Sequence, residues 1–207
     1  MSPAFVIVKD FPDKYDYCGT GFFISGDGLF FTAAHIFEKD PDCQKYWIAP
    51  NASDLDALVP FTIVCCEKSK DIALCRADYR PQEWLSLTPI LPKRGDKVFS
   101  LGYSGRENNI GKIEVREGKF IAHSEELTIP EIPPYSPKIF PAIFFEGAIK
   151  EGFSGGPTLN EKGEIIGLHS LINSDENILS ILNVTEAVSV SVRSDALIEL
   201  VRNYPFG

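Results

Sequence analysis

The sequence lacks the features that mark several classes of protein. Basic residues are outnumbered by acidic ones, leaving a net charge of −9 over 207 residues, so neither nucleic acid nor an anionic membrane surface is an expected partner. No apolar run approaches the length of a bilayer-spanning helix, and no membrane-embedded segment is predicted. The N-terminus shows no basic leader and no small-residue cleavage site, which predicts a cytoplasmic location.

Cysteine and histidine are also scarce. The five cysteines are an odd number, and neither a metal-type spacing nor a disulfide framework emerges from them, so reduced thiols are the simpler interpretation. Only three histidines occur, so the context of each one is informative.

Short runs of β-branched and aromatic residues do recur along the chain, separated by Gly, Pro, Asn and Asp. This rhythm is typical of an all-β barrel or sandwich. It fits two β-barrels of similar size at 1–83 and 96–193, joined by a linker at 84–95. An N-cap pair, Ser194 and Asp195, predicts a C-terminal helix over 194–204. Five prolines between Thr128 and Pro141 predict a long extended loop rather than a strand.

One serine stands among glycines, in the string Gly152-Phe153-Ser154-Gly155-Gly156-Pro157. Glycines let backbone N–H groups converge beside a hydroxyl, which is what a nucleophile next to an oxyanion hole requires. We expect the N–H groups of Gly152 and Ser154 to form the hole, with that of Phe153 also facing inward. A glycine-rich β-turn without catalytic function is the alternative.

A histidine and an aspartate occur in two further strings that suit a serine nucleophile. His35 ends the string Thr32-Ala33-Ala34-His35, where small residues allow close packing, and it is the expected general base and acid. Asp71 opens an apolar strand, where a carboxylate would fix the imidazole tautomer. Taken alone, an aspartate at a strand start is usually a turn residue.

These strings resemble the trypsin/chymotrypsin-like peptidases, in particular the HtrA-type and related bacterial trypsin-like branch. The resemblance covers nearly the whole chain and is carried by Gly19-Thr20-Gly21-Phe22, Thr32-Ala33-Ala34-His35, Asp71-Ile72-Ala73-Leu74, Gly152-Phe153-Ser154-Gly155-Gly156-Pro157 and Gly163-Glu164-Ile165-Ile166-Gly167. It implies an all-β, chymotrypsin-like double β-barrel with His35, Asp71 and Ser154 as catalytic triad at the junction. No metal and no organic cofactor is implied.

Two residues depart from the family pattern. Phe153 stands where the digestive branch has an aspartate that pairs with a freed N-terminus, so activation by that salt bridge is excluded. Ile36 follows the histidine in place of a disulfide-forming cysteine, which agrees with a reducing compartment. The rival nucleophile elbow of the α/β-hydrolases is rejected, because its histidine comes last in the chain and its serine leads into a helix.

A histidine after the serine string suggests a substrate preference. Gly167-Leu168-His169-Ser170 resembles the segment of glutamyl endopeptidases and picornavirus processing proteases in which a histidine lines the primary pocket, implying Glu or Gln before the cleaved bond. Ala148, Ile149, His169 and Ser170 are the predicted substrate-binding residues. A core histidine bonded to the backbone is the alternative for His169, and His123 is interpreted as a surface residue.

The sequence therefore predicts a serine endopeptidase that cleaves protein or peptide substrates through an acyl-enzyme. We also expect narrow specificity, or activation by a regulatory protein partner, because unregulated cleavage would endanger the cell. A noncatalytic trypsin-like fold that acts as a protein-interaction module is the alternative. A third interpretation is the protease domain of a larger regulated complex.

Overall fold

The first half of the chain forms a closed β-barrel. A computed structural model describes residues 2–11, 14–38, 46–51, 57–106, 109–131, 133–147, 149–173 and 175–204. The strands of the first barrel are β1 (Ala4–Phe11), β2 (Lys14–Phe23), β3 (Leu29–Thr32), β4 (Tyr46–Ala49), β5 (Val59–Glu67) and β6 (Ile72–Ala77). They neighbour one another in the order β1, β2, β3, β6, β5, β4, and the antiparallel pairing of β1 with β4 closes the ring.

The second half forms another closed barrel with the same antiparallel pairing. Its strands are β7 (Lys97–Arg106), β8 (Asn109–Ile129), β9 (Lys138–Glu146), β10 (Pro157–Leu159), β11 (Ile165–Asn173) and β12 (Val188–Arg193). Their order is β10, β11, β12, β9, β8, β7, and β10 pairs with β7 to complete the circle. The predicted double β-barrel is confirmed.

Several phenylalanines pack against one another in the core of the first barrel. Every residue of β3 is buried, because successive side chains point to opposite faces of a strand and both faces are covered. Phe30 packs edge-on against Phe5, with ring centroids 5.0 Å apart, while Phe31 lies 6.1 Å from Phe22. This leaves β3 rigidly held immediately before His35.

The C-terminal helix predicted from the sequence is confirmed as α2 (Ser194–Asn203). It buries Ala196, Leu197 and Leu200, and the Ser194 hydroxyl donates to the carbonyl of Thr88 at 2.6 Å. A second helix, α1 (Glu176–Leu182), was not expected. Its N-cap signal is Asp175, whose carboxylate accepts from the N–H groups of the first turn. No helix in the described part of the chain is long and apolar enough to cross a membrane.

The loop expected between Thr128 and Pro141 is shorter than predicted. β8 continues to Ile129 and β9 begins at Lys138, with Thr128 opposite Ile139 in the ladder. Pro141 lies within β9 where the register shifts between Ser124 and Leu127. A β-bulge leaves a residue out of the ladder, so the missing N–H of proline is tolerated there.

Candidate active site

His35 and Asp71 are held together at the end of the first barrel. His35 belongs to a 3-10 turn, Ala34–Phe37, that directly follows β3, and Asp71 precedes β6, the strand paired with β3. Nδ1 of His35 lies 2.9 Å from Oδ2 and 3.1 Å from Oδ1 of Asp71. Because the carboxylate accepts the Nδ1 proton, Nε2 is left free to accept a proton from a nucleophile.

Asp71 is fixed from several sides. It is fully buried and adopts the left-handed conformation, with φ of 59°, which aspartate tolerates better than most residues. Its Oδ1 accepts from the His35 backbone N–H at 2.9 Å, and its Oδ2 accepts from the Ser170 hydroxyl at 2.5 Å. Burial alone would raise the pKa of Asp71, but His35, Lys138 and Ser170 together hold it below its ordinary value. The carboxylate is therefore ionised at neutral pH.

Ser154 lies against the segment that carries His35. Its carbonyl accepts from the N–H of Thr20 in β2 at 2.9 Å. Gly19 fills the gap between Ser154 and Ile36, since a Cβ at Gly19 would lie 2.9 Å from the Ser154 carbonyl oxygen and 2.5 Å from Cδ1 of Ile36. The serine of the second barrel is thus brought beside the residue that follows His35.

Two consecutive turns shape the backbone around Ser154. The N–H of Phe153 donates to the carbonyl of Lys150 at 3.1 Å, and that of Gly156 donates to Phe153 at 2.8 Å. Gly152, with φ of 98°, and Gly155, with φ of 81°, occupy the third positions, which makes both of them type II turns. The positive φ of Gly152 fixes the direction of its N–H, because the flipped peptide of a type I turn requires a negative φ there.

The turns decide which N–H groups remain for an oxyanion. Among the described residues, those of Gly152 and Ser154 donate to no backbone carbonyl. The inward-facing N–H expected of Phe153 is not seen, because the first turn engages it with Lys150. The Phe153 side chain is instead a buried apolar anchor, packed so closely on Gly102 that a Cβ there would lie 2.5 Å from its ring.

The carbonyl of Gly152 is held by two hydroxyls from the first barrel. Thr20 Oγ1 donates to it at 2.9 Å, and the Tyr17 hydroxyl lies within hydrogen-bonding distance of the same oxygen and 2.6 Å from the Tyr103 carbonyl. Burial raises the pKa of Tyr17 well above its ordinary value, so the hydroxyl keeps its proton. Neither hydroxyl was assigned a role from the sequence.

Comparison with known proteins agrees with this geometry. A sequence model of the trypsin-like peptidase domain matches residues 19–168. The chain belongs to the trypsin-like peptidase family. No curated protein sequence matches it significantly.

Solved structures of two proteases share the fold of this peptidase. The active form of the Rv3671c protease from M. tuberculosis superposes with a TM-score of 0.73 at 20% identity, covering 99% of this chain and 83% of that one. The apo protease domain of MamO from Magnetospirillum magneticum gives a TM-score of 0.70 at 15% identity, with coverage of 96% and 95%. At these identities the likeness concerns the fold alone.

The predicted substrate-binding residues of the peptidase occupy different environments. His169 is fully buried on β11, with Nδ1 3.1 Å from the Thr158 hydroxyl and 3.0 Å from that of Ser191. Its Nε2 has no hydrogen-bond partner among the described residues. Burial lowers the pKa of His169 to about 3, so the ring is neutral.

The other three predicted pocket residues differ in their surroundings: one lies in an apolar cluster, one contacts Asp71, and one is outside the described residues. Ile149 is buried in an apolar cluster with Phe153 and Ile166. The Ser170 hydroxyl is used by Asp71, so this side chain supports the aspartate, which was not anticipated. Ala148 lies outside the described residues.

Proposed function

We propose that this peptidase is a serine endopeptidase with His35, Asp71 and Ser154 as its catalytic triad. The observation that carries the proposal is the double contact of Asp71 with Nδ1 of His35, next to a turn that leaves two N–H groups for an oxyanion. A buried, ionised carboxylate orients the imidazole and stabilises the imidazolium that forms during the reaction.

In the first half of the reaction, His35 Nε2 takes the proton of the Ser154 hydroxyl while the serine oxygen attacks the substrate carbonyl carbon. The carbonyl π electrons move onto oxygen, and the N–H groups of Gly152 and Ser154 bind that oxyanion. Collapse of the tetrahedral intermediate breaks the C–N bond, and the imidazolium gives its proton to the leaving amine. An acyl-enzyme ester on Ser154 remains.

In the second half, water replaces the amine. His35 takes a proton from water as its oxygen attacks the ester, and the proton is returned to Ser154 when the C–O bond breaks. A carboxylic acid product leaves, and the enzyme is regenerated.

We further propose that the residue before the cleaved bond is Gln or Glu, recognised by His169. The Thr158 and Ser191 hydroxyls face Nδ1 and lie 2.7 Å from each other. This recognition requires that one of these hydroxyls donates to Nδ1, which leaves the ring proton on Nε2. An Nε2–H without a partner is a donor for a carboxamide or carboxylate oxygen. Because a neutral ring gives a buried carboxylate no opposite charge, we expect Gln to be preferred over Glu at neutral pH.

One paired experiment tests both proposals. Wild type and Ser154→Ala are treated with a fluorophosphonate probe and with a peptide library read by mass spectrometry, and Ser180→Ala, at an exposed serine of α1, serves as control. We expect labelling of wild type and of the control only, and a loss of about six orders of magnitude in turnover for Ser154→Ala. Labelling that persists in Ser154→Ala would refute the triad.

The cleavage sites in the same library test the preference. Cleavage after Gln, lost in His169→Val while probe labelling is retained, is the expected result. Cleavage after other residues would leave the protease intact and remove the role of His169.

We keep two sequence predictions as proposals. A cytoplasmic location is supported by Cys18, Cys65, Cys66 and Cys75, none of which forms a disulfide within the described part of the chain. Regulation by a protein partner remains a prediction. Its test is to measure peptide cleavage by the isolated chain with and without added cell extract.

A further inference from the structure

A lysine of the second barrel lies beside the aspartate that holds His35. Nζ of Lys138, at the start of β9, is 3.5 Å from Oδ1 of Asp71 and 3.1 Å from Oε1 of Glu38. The side chains of Lys138 and Glu38 are only 7% and 2% exposed. Glu38, Asp71 and Lys138 therefore form a buried charge cluster with one net negative charge.

The charge cluster surrounds His35 from both barrels. Glu38 follows the 3-10 turn of His35, and its Oε2 accepts from the backbone N–H of Ser136 at 2.8 Å. The ring of Tyr135, next to Ser136, stands edge-on to the His35 imidazole with centroids 5.9 Å apart. The segment that enters β9 is thus pinned over the histidine by the glutamate and the lysine.

Several titratable or charged groups face this cluster from the packed elements, and each bears on the charge that His35 experiences. From β5 comes Cys66, whose pKa is raised by burial, so its thiol is uncharged. The described titratable groups around the cluster are His35, Cys66, Lys68 and Tyr135. Within the cluster, Glu38 and Lys138 contact each other beside Asp71.

A buried lysine is not needed for an aspartate to orient a histidine. Removing three charges from water is costly, and a lone ammonium next to Asp71 would compete with the imidazolium for the carboxylate. Glu38 offsets that competition, because it takes part of the lysine's interaction. The balance between the two determines how much of the negative charge of Asp71 acts on His35.

We propose that Lys138 and Glu38 are positioning residues that set, through Asp71, the pH at which His35 begins to act as general base. The catalytic consequence rests on the proposed triad, whereas the coupling of the charge cluster to His35 is measurable in protein that does not turn over.

The test follows the imidazole signals of His35 against pH by NMR in the full chain carrying Ser154→Ala. Lys138→Met leaves two carboxylates near the ring, which stabilises imidazolium, so the transition of His35 moves up by about one pH unit. Glu38→Gln leaves the lysine to Asp71 alone, so the transition moves down by a similar amount. The double variant restores one net negative charge, and its transition returns close to that of the parent.

Controls separate charge from structure. Lys97→Met breaks an exposed ion pair with Glu117, and it leaves the His35 transition in place. Lys138→Arg keeps the positive charge, and His35 in this variant is also expected to titrate as it does in the parent. His123, half exposed, reports within every spectrum whether the pH scale has drifted.

The outcomes distinguish a failure of the charge-cluster proposal from a failure of the proposed protease function. Transitions of His35 that coincide in all variants, or that shift in Lys138→Arg as in Lys138→Met, would overturn the proposal even where melting temperatures fall. In chains with Ser154 intact, the acid limb of kcat/KM against pH is expected to move in the same order. If the Lys138 and Glu38 variants shift the His35 transition as expected while the chain with Ser154 intact binds no fluorophosphonate, the charge cluster is supported and the proposed serine protease is rejected.

Discussion

At the scale of single residues, the carbonyl of Gly152 links the turn that carries the proposed oxyanion hole to the first barrel. The hydroxyls of Tyr17 and Thr20 both reach this oxygen. The peptide they hold lies between the two N–H groups proposed to bind the oxyanion, so its orientation sets theirs. An oxyanion hole is effective only when its donors are fixed before charge develops.

Removal of one of these hydroxyls should therefore weaken the stabilisation of the transition state. We expect Tyr17→Phe to lower kcat about tenfold with little change in KM, because one hydrogen bond of ordinary strength is lost while Thr20 still holds the carbonyl. Steady-state kinetics on a cleaved peptide measures this. Tyr79→Phe is the matched control, since the Tyr79 ring stacks on Phe23. An equal fall of kcat in both variants would contradict the role of Tyr17.

The residues proposed as the triad could be named from the sequence because each one lies among informative neighbours in the chain. His35, Asp71 and Ser154 lie in short strings whose neighbours carry information about the turn or strand. Ser170 contacts Asp71 across a sequence separation of 99 residues, and Tyr17 reaches Gly152 across 135. Lys138 also contacts Asp71 from a distant part of the chain, in the other barrel. Contacts of this kind depend on how the barrels dock, which local patterns do not encode.

At the scale of elements, the turns between strands depend on how much space surrounds their glycines. Gly28 joins β2 to β3 with φ of 85°, and a Cβ there would lie 2.3 Å from the Ala77 carbonyl oxygen. Gly163 joins β10 to β11 with φ of 77° and has open space around the same position. Both positions disfavour other residues, but only Gly28 is also crowded by backbone.

This contrast gives a matched pair of variants. We expect Gly163→Ala to reduce the free energy of unfolding by about 1 kcal/mol through backbone strain alone. Gly28→Ala adds a clash with the end of β6 and should cost about 1–3 kcal/mol more. Urea unfolding compares the two, and equal losses would show that crowding at Gly28 is relieved by movement of Ala77.

Strand periodicity predicted the β-rich fold well because alternation is a local property of each strand. The pairings β1–β4, β3–β6, β9–β12 and β7–β10 join strands that are not consecutive, and they could not be predicted from the periodicity. The pattern was less informative where a strand carries prolines, as at Pro141, since a bulge accommodates the missing N–H. Helix α1 was missed because seven residues are too few to show a helical period above the surrounding sequence. The N-cap at Asp175 was the available signal.

At the scale of the whole molecule, the buried His169 links stability to pH. Its pKa is about 3 in the folded chain, whereas an imidazole in the unfolded chain keeps its ordinary pKa of 6.5. Between these values the unfolded chain binds more protons, so acidification favours unfolding. The stabilisation is present above pH 6.5 and is lost as pH falls toward 3.

We expect the free energy of unfolding to fall by roughly 2 kcal/mol from this group between about pH 7 and about pH 5. In His169→Gln, which lacks a titrating ring, that part of the pH dependence disappears. His123→Gln, at the surface, keeps it. Urea unfolding at both pH values provides the measurement, and identical slopes for wild type and His169→Gln would contradict the assignment.

The contacts of Tyr17 with Gly152 and of Lys138 with Asp71 each join one barrel to a group on the other. During synthesis the ribosome delivers the first barrel, with its histidine and aspartate, before the serine exists. Because the proposed triad needs Ser154 from the second barrel, a half-made chain would lack peptidase activity. Separation of the two barrels would likewise remove Ser154 from His35 while the strands within each barrel remain paired.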